Sequence, residues 1–133
     1  MEQQCFITLA EHSKKHLVSD WPNNGKTLTD AEAEAEAESK NIGLLLGKKS
    51  GILDVDLDCI AAKALADVIL PEPAVKFDRG SPDSGHYLYK ATSFGSRKSF
   101  TSDKSGSTLV ELRGDGAQTM IPASWMVYGK VLK

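Results

Sequence analysis

The stretch Ile52-Leu-Asp-Val-Asp-Leu-Asp58 decides the fold, because acidic and apolar residues alternate along it as they do in a β-strand. A strand sends successive side chains to opposite faces, so Asp54, Asp56 and Asp58 are predicted to share one face of a sheet. Carboxylates held this close repel one another and are often accommodated by a cation, and hard oxygen ligands favour Mg²⁺ or Mn²⁺. Taken alone, the segment is explained equally well by a solvated acidic strand end.

Two other uses of an aspartate pair can be tested on spacing. An EF-hand calcium loop that began at Asp54 would need glycine at its sixth position and glutamate at its twelfth, where this chain has Cys59 and Leu65. The calcium loop is therefore excluded. A phosphohydrolase with an aspartate nucleophile would follow the pair with a small residue and threonine, but Leu57-Asp58 follow here. Metal-dependent phosphohydrolysis is a weaker alternative.

Glycine, proline and capping signals predict the elements on either side of the acidic strand. Residues 41–47 are interpreted as a buried strand, and the glycine-containing turn after it predicts a hairpin with the acidic strand. Residues 60–70 form an Ala/Leu-rich helix pattern that Pro71 closes. The other predicted elements are a helix over residues 31–38 after a capping box from Thr29 to Glu32, strands at 74–78, 86–90, 108–112 and 118–121, and either a strand or a helix start at 5–10.

Two further segments place polar groups in apolar strands. In Ser84-Gly-His86-Tyr-Leu-Tyr89 the histidine follows a flexible turn, where its imidazole can hydrogen-bond a phosphate and Ser84 can add a donor. In Leu109-Val-Glu111-Leu-Arg113 the acid and the arginine are predicted to point the same way. Taken singly, the histidine is more often structural, and the acid and arginine are more often an exposed ion pair.

Charge and length limit the class of protein. The chain has 133 residues, enough for one core, and its 41% hydrophobic and 26% charged residues are globular values. A net charge of −2 argues against a protein that coats nucleic acid by charge alone, so a polyanion would be bound locally. Basic residues gather weakly at Lys48-Lys49 and around Arg97, Lys98 and Lys104, where solvated turns are the alternative.

The spacing of the cysteines and histidines does not indicate a second metal-binding site. Cys5 and Cys59 form no CxxC pair and are interpreted as small buried or half-buried residues. His12 and His16 are one helical turn apart, but no further ligand is near them in sequence, so they are interpreted as structural. The N-terminus lacks the basic region of a signal peptide, so a cytoplasmic location is expected.

Taken in order, the motifs resemble the bifunctional DNA primase/polymerase (prim-pol) N-terminal domain of the archaeo-eukaryotic primase superfamily, known from phages, plasmids and mobile elements. The resemblance covers about residues 40–124. It rests on Asn41-Ile-Gly-Leu-Leu-Leu-Gly47 with Ser50-Gly51, Asp54-Val-Asp56, Ser84-Gly-His86-Tyr-Leu-Tyr89, Glu111-Leu-Arg113-Gly with Gln118-Thr119, and Ile121-Pro-Ala-Ser124, where alanine replaces a common second proline.

The resemblance implies roles for single residues. Asp54 and Asp56 match the DxD of the first motif, His86 the histidine of the second, and Glu111 the acid of the third, which makes these four the implied catalytic residues. In such enzymes the acids hold two Mg²⁺ or Mn²⁺ ions, which activate a primer 3′-hydroxyl and neutralise the triphosphate. Asp58 is left open as a metal ligand or the N-cap of the next helix. We further predict Ser84, His86, Arg113 and Lys48 as nucleotide-binding residues, and, from the gathering of basic residues, Arg97, Lys98 and Lys104 as nucleic-acid-binding residues.

We therefore expect one α+β domain over residues 1–133, by itself or as part of a longer replication protein. The implied primase/polymerase fold has an RRM-like antiparallel sheet with the site on one face and helices on the other. The expected reaction is metal-dependent, template-directed nucleotidyl transfer in primer synthesis or extension. Its partners would be a single-stranded DNA template, a primer, nucleoside triphosphates and a replicative helicase domain. The alternative is a non-catalytic nucleic-acid-binding module of a replication protein.

Overall fold

The structure is a computed structural model that describes residues 3–10, 20–78, 83–95, 97–102 and 104–122. His12 and His16 lie outside these ranges, as do the last two residues of the motif that ends at Ser124. None of the described helices is long and apolar enough to cross a membrane. The described elements are a short 3-10 helix at Trp21–Asn23, the helices α1 (Leu28–Glu38) and α2 (Ile60–Ile69), and the strands β1 (Phe6–Leu9), β2 (Asn41–Leu45), β3 (Ile52–Leu57), β4 (Val75–Phe77), β5 (Gly85–Lys90), β6 (Lys98–Thr101), β7 (Thr108–Arg113) and β8 (Gln118–Met120).

The described strands form two antiparallel sheets, which confirms the predicted α+β class. The smaller sheet has the order β1-β2-β8 and the larger sheet the order β4-β5-β3-β7-β6. The acidic strand β3 is therefore the central strand of the larger sheet, between β5 and β7. Residues 54–57 of β3 each pair with a residue on both sides, and these cross-strand neighbours define the candidate site.

The predicted hairpin of residues 41–47 with the acidic strand is wrong as a strand pairing. The turn forms, since the N–H of Gly47 donates to the Ile52 carbonyl over 2.8 Å, but these two residues make only an isolated bridge. β2 then lies in the smaller sheet and β3 in the larger. The strands part because β1 and β8 take both edges of β2, whose apolar side chains are buried on both faces.

A contact between two turns joins the sheets where the chain passes from one to the other. The backbone N–H of Lys48, in the β2–β3 turn, donates to Asp115 Oδ1 in the β7–β8 turn over 2.7 Å. Gly47 lies beside it at a φ of 77°, and a Cβ there would sit 2.1 Å from the same oxygen. Glycine is thus required at this position both for its backbone conformation and for the close approach.

α2 begins at Ile60 as predicted, while the residues that cap both helices are found only in the structure. The N-cap of α1 is Thr27, whose hydroxyl accepts from the Asp30 N–H over 3.1 Å, so the capping box predicted from Thr29 is misplaced by two residues. The N-cap of α2 is Cys59, whose Sγ accepts from the Ala62 N–H over 3.4 Å. Asp58 is therefore not the cap; it is exposed beyond the end of β3. The predicted end of α2 before Pro71 is confirmed.

Two cores lie on opposite faces of the larger sheet. The main core joins the smaller sheet and α1 to the larger sheet through Ile52, Val75 and Leu88. The second core places Ala66 of α2 against Leu57 and its neighbours on the other face. α1 packs on β1 and β2 of the smaller sheet. Among the described helices, only α2 therefore covers the face of the larger sheet opposite the acidic side chains of β3, where the sequence predicts helices.

The edge strand β6 was not predicted from the sequence. Its four residues, Lys98–Thr101, are all exposed and include a single apolar side chain, Phe100, so they carry no alternating pattern. β6 forms through backbone pairing with β7. A short exposed strand with a lysine is common at the edge of a sheet, where it discourages pairing with another chain.

Candidate active site

A row of directly opposed residues crosses the middle of the larger sheet. Asp56 of β3 pairs with His86 of β5 on one side and with Glu111 of β7 on the other. Two residues earlier on β3, Asp54 pairs with Arg113 of β7. Opposed residues and residues two apart share a face, so the structure brings all five side chains together.

Asp54 is the most deeply buried member of this cluster. Its side chain has no exposed area, and its Oδ2 lies 2.9 Å from His86 Nδ1 and 3.8 Å from Arg113 Nη1. Its other oxygen, Oδ1, is buried without a hydrogen-bond partner among the described residues. A buried, unpaired carboxylate oxygen is costly, so the fold retains here a group that could accept a further ligand.

His86 is held in one orientation by contacts from two strands. Its ring stacks on Phe77 of β4 with centroids 4.8 Å apart and planes 18° from parallel. With Asp54 ionised, Nδ1 must carry the proton of the 2.9 Å contact, because a carboxylate only accepts. Nε2 is then the ring nitrogen left for a further partner.

Glu111 is paired with an arginine at each oxygen. Arg97 Nη2 donates to Oε2 over 2.7 Å. Arg113 Nε approaches Oε1 to 3.2 Å as an ion pair, without the angle of a hydrogen bond. Arg113 is itself anchored, since its Nη2 donates to the backbone carbonyl of Gln118 in β8. The two arginines therefore offset two of the three carboxylates, and one negative charge remains when His86 is neutral.

The electrostatic environment raises the pKa of Asp56 above its usual range. Burial is the largest cause, and the charge of His86 opposes it. The neighbouring carboxylates Asp54 and Asp58 add to the rise, whereas Arg113 opposes it. A carboxylate that ionises reluctantly beside other carboxylates is stabilised by added positive charge.

A divalent ion such as Mg²⁺ or Mn²⁺ needs several oxygen ligands close together. In the part of the chain that the structure describes, no group of three or more His, Cys, Asp or Glu side chains is arranged to hold a metal. Two of the three carboxylates are instead in contact with other side chains, Glu111 with two arginines and Asp54 with His86. The donor chemistry nonetheless fits, because Asp54, Asp56 and Glu111 offer hard oxygens on one face and Asp54 Oδ1 is unpaired.

The other predicted binding residues are more scattered. Ser84 lies directly before β5, two residues from His86. Lys48 lies in the β2–β3 turn with its Nζ 3.9 Å from Asp115 Oδ2. Lys98 pairs with Leu112 and so lies on the face opposite the carboxylates, while Lys104 lies in the exposed turn between β6 and β7. Arg97, which contacts Glu111, and Lys98 therefore lie on opposite faces of the larger sheet.

Two contributors to the site were missed from the sequence. Phe77 supports the histidine ring, and the carbonyl of Gln118 anchors Arg113. No local pattern marks either role, because both depend on which strands become neighbours. Arg97 was expected to bind nucleic acid, and its pairing with Glu111 could be recognised only from the structure.

An antiparallel sheet that gathers three carboxylates, a histidine and two arginines on one face is suited to cations and phosphates. The chain belongs to the bifunctional DNA primase/polymerase N-terminal domain family (Prim-Pol), whose model matches residues 5–131. This match confirms the resemblance and extends it beyond residues 40–124. No curated protein matches the chain.

Proposed function

We propose that this domain transfers nucleotides to a primer 3′-hydroxyl on a single-stranded DNA template, with two Mg²⁺ or Mn²⁺ ions held by Asp54, Asp56 and Glu111. One observation carries the proposal: in a member of the primase/polymerase family, these acids meet on adjacent strands of one face. Ions bound there would activate the attacking hydroxyl and offset the charge of the triphosphate.

The residues around the acids have separate tasks in this proposal. His86, fixed by Asp54 and Phe77, presents Nε2 to a phosphate oxygen of the nucleotide. Ser84 adds a hydroxyl at the start of the same strand. Arg113 is anchored on β8 and offsets the carboxylates at a fixed position, so that they remain close before an ion binds. The lysines at 48 and 104 are proposed to contact phosphates from the exposed turns.

We also propose that the larger sheet is the RRM-like sheet of the family fold. β3, α2, β4 and β5 follow one another as β-α-β-β, the first half of the ferredoxin-like β-α-β-β-α-β order. After β5 the edge strand β6 stands where that order has its second helix. The acids lie on the face opposite α2, beside the part of that face that Ile52, Val75 and Leu88 bury in the main core.

Primer extension with Mg²⁺ or Mn²⁺ tests the proposal. We expect wild-type protein to extend a primer on single-stranded DNA and Asp56→Asn to lower the rate by at least about a hundredfold, because the isosteric amide keeps the packing and loses a ligand charge. Asp54→Asn should have the same effect. Asp30→Asn, which removes an exposed carboxylate in the first turn of α1, is the matched control and should keep the wild-type rate.

The outcomes separate the proposal from its rival. Metal-dependent extension that survives in both Asp54→Asn and Asp56→Asn would exclude these residues as ligands. DNA binding without extension under any metal condition would favour the non-catalytic nucleic-acid-binding module. Phosphate release from a nucleotide without extension would favour phosphohydrolysis. Circular dichroism of each variant establishes that loss of activity is not loss of fold.

A further inference from the structure

The two arginines on Glu111 differ in how firmly each is held. The Arg113 side chain is 17% exposed and bonded to the backbone of β8. The Arg97 side chain is 64% exposed, although the Glu111 side chain it contacts is only 11% exposed. The anchored arginine therefore stays in place when the site changes, while the exposed arginine can leave at small cost.

Arg97 also occupies the oxygen that a cation would need. Its Nη2 lies 2.7 Å from Glu111 Oε2, while Arg113 stands at Oε1. A divalent ion that coordinates Oε2 therefore competes with the Arg97 guanidinium for this oxygen. Arg97 directly precedes β6, the edge strand that pairs with β7 alone. Movement of the Arg97 side chain therefore breaks no backbone pairing among the central strands of the sheet.

We propose that Arg97 is an exchangeable counter-ion of Glu111, which competes with the divalent ion and, once displaced, binds phosphate oxygens of the substrate. This inference rests on the proposed metal-dependent function. A guanidinium recognises phosphate and carboxylate with the same two-pronged geometry, so the displaced side chain finds an equivalent partner nearby. Cation and substrate then bind together more favourably than either does alone.

Manganese titration followed by electron paramagnetic resonance tests the exchange without an activity assay. We expect Arg97→Ala to bind Mn²⁺ alone roughly two- to fivefold more tightly than the wild type, the range that follows from an exposed ion pair. With Mn²⁺ saturating, the same variant should bind phosphate-bearing ligand more weakly. Separate titrations with dATP and with a single-stranded oligonucleotide identify whether the triphosphate or the DNA backbone supplies that phosphate.

Lys98→Ala is the matched control, because it removes the same charge from the next residue on the opposite face. Its Mn²⁺ affinity should equal that of the wild type. Equal affinities in wild type and Arg97→Ala, or an equal gain in Lys98→Ala, would overturn the exchange and leave the metal site standing. Failure of every variant to bind Mn²⁺ would instead overturn the proposed function. A gain in Mn²⁺ affinity with unchanged binding of both phosphate ligands would refute the second half of the proposal.

Discussion

Replacing Gly47 with alanine should destabilise the domain more than the same change at Gly51 in the same turn. Both glycines have positive φ, 77° and 74° respectively, so each alanine incurs about 1–2 kcal/mol for the left-handed backbone. At Gly47 the new Cβ would also lie 2.1 Å from Asp115 Oδ1 and 2.5 Å from the Asp115 backbone nitrogen. This overpacking adds about 1–3 kcal/mol, so Gly47→Ala should cost roughly 2–5 kcal/mol in total.

Gly51→Ala is a close control, because the nearest atom to its added Cβ is 3.8 Å away, an ordinary contact. Urea unfolding followed by circular dichroism gives both free energies of unfolding. The difference between the variants isolates the contact that joins the β2–β3 and β7–β8 turns. If the two alanine variants unfold with the same free energy, the turns are not in contact and the joint between the sheets is wrong.

Two further predictions concern buried or paired charges. Lys26 and Lys40 hold the pKa of Glu34 at about 2, below its ordinary 4.5, so the stability that Glu34 contributes above pH 4.5 is lost as the pH falls toward 2. Because the side chain is 26% exposed, Glu34→Gln should lower the free energy of unfolding by only about 1 kcal/mol at pH 7. Urea unfolding at several pH values should show the stabilities of the two proteins converging near pH 2. His86→Ala should cost about 3–5 kcal/mol, because it leaves the carboxylate of Asp54 buried with fewer partners, and at least about 1 kcal/mol less in an Asp54→Asn background. Strict additivity in that double-mutant cycle would contradict the buried pair.

The sequence predicted the strands that carry an alternating or apolar pattern. The strands of Asp54, His86 and Glu111 were placed within one residue of their observed bounds, because each has apolar residues that must be buried. The bounds of α2 followed from Pro71 in the same way. The site could be assembled in advance only through the family resemblance, because periodicity assigns a residue to a face and not to a neighbouring strand.

What the sequence could not predict depended on long-range pairing. Nothing between 41 and 58 indicates that the strands on either side of the Gly47 turn enter different sheets, since that outcome is set by β1 and β8. The edge strand that begins at Lys98 has no pattern of its own and forms only because β7 offers a free edge. The pairing of Arg97 with Glu111 follows from that edge and could not be read from spacing.

The cluster on β3 explains how this site can form before any ion is bound. A row of carboxylates at the centre of a sheet, with Asp54 Oδ1 buried and unpaired, stabilises the fold less than apolar residues would. Small metal sites made only of ligands often cannot fold without their ion. Here Arg113, anchored on β8, supplies permanent positive charge, so the sheet does not depend on a cation to keep its acids together. Under the proposed function, the remaining negative charge would favour an arriving cation, whereas Arg97 on Glu111 would oppose it, and displacement of Arg97 would free a guanidinium for the phosphates of the substrate.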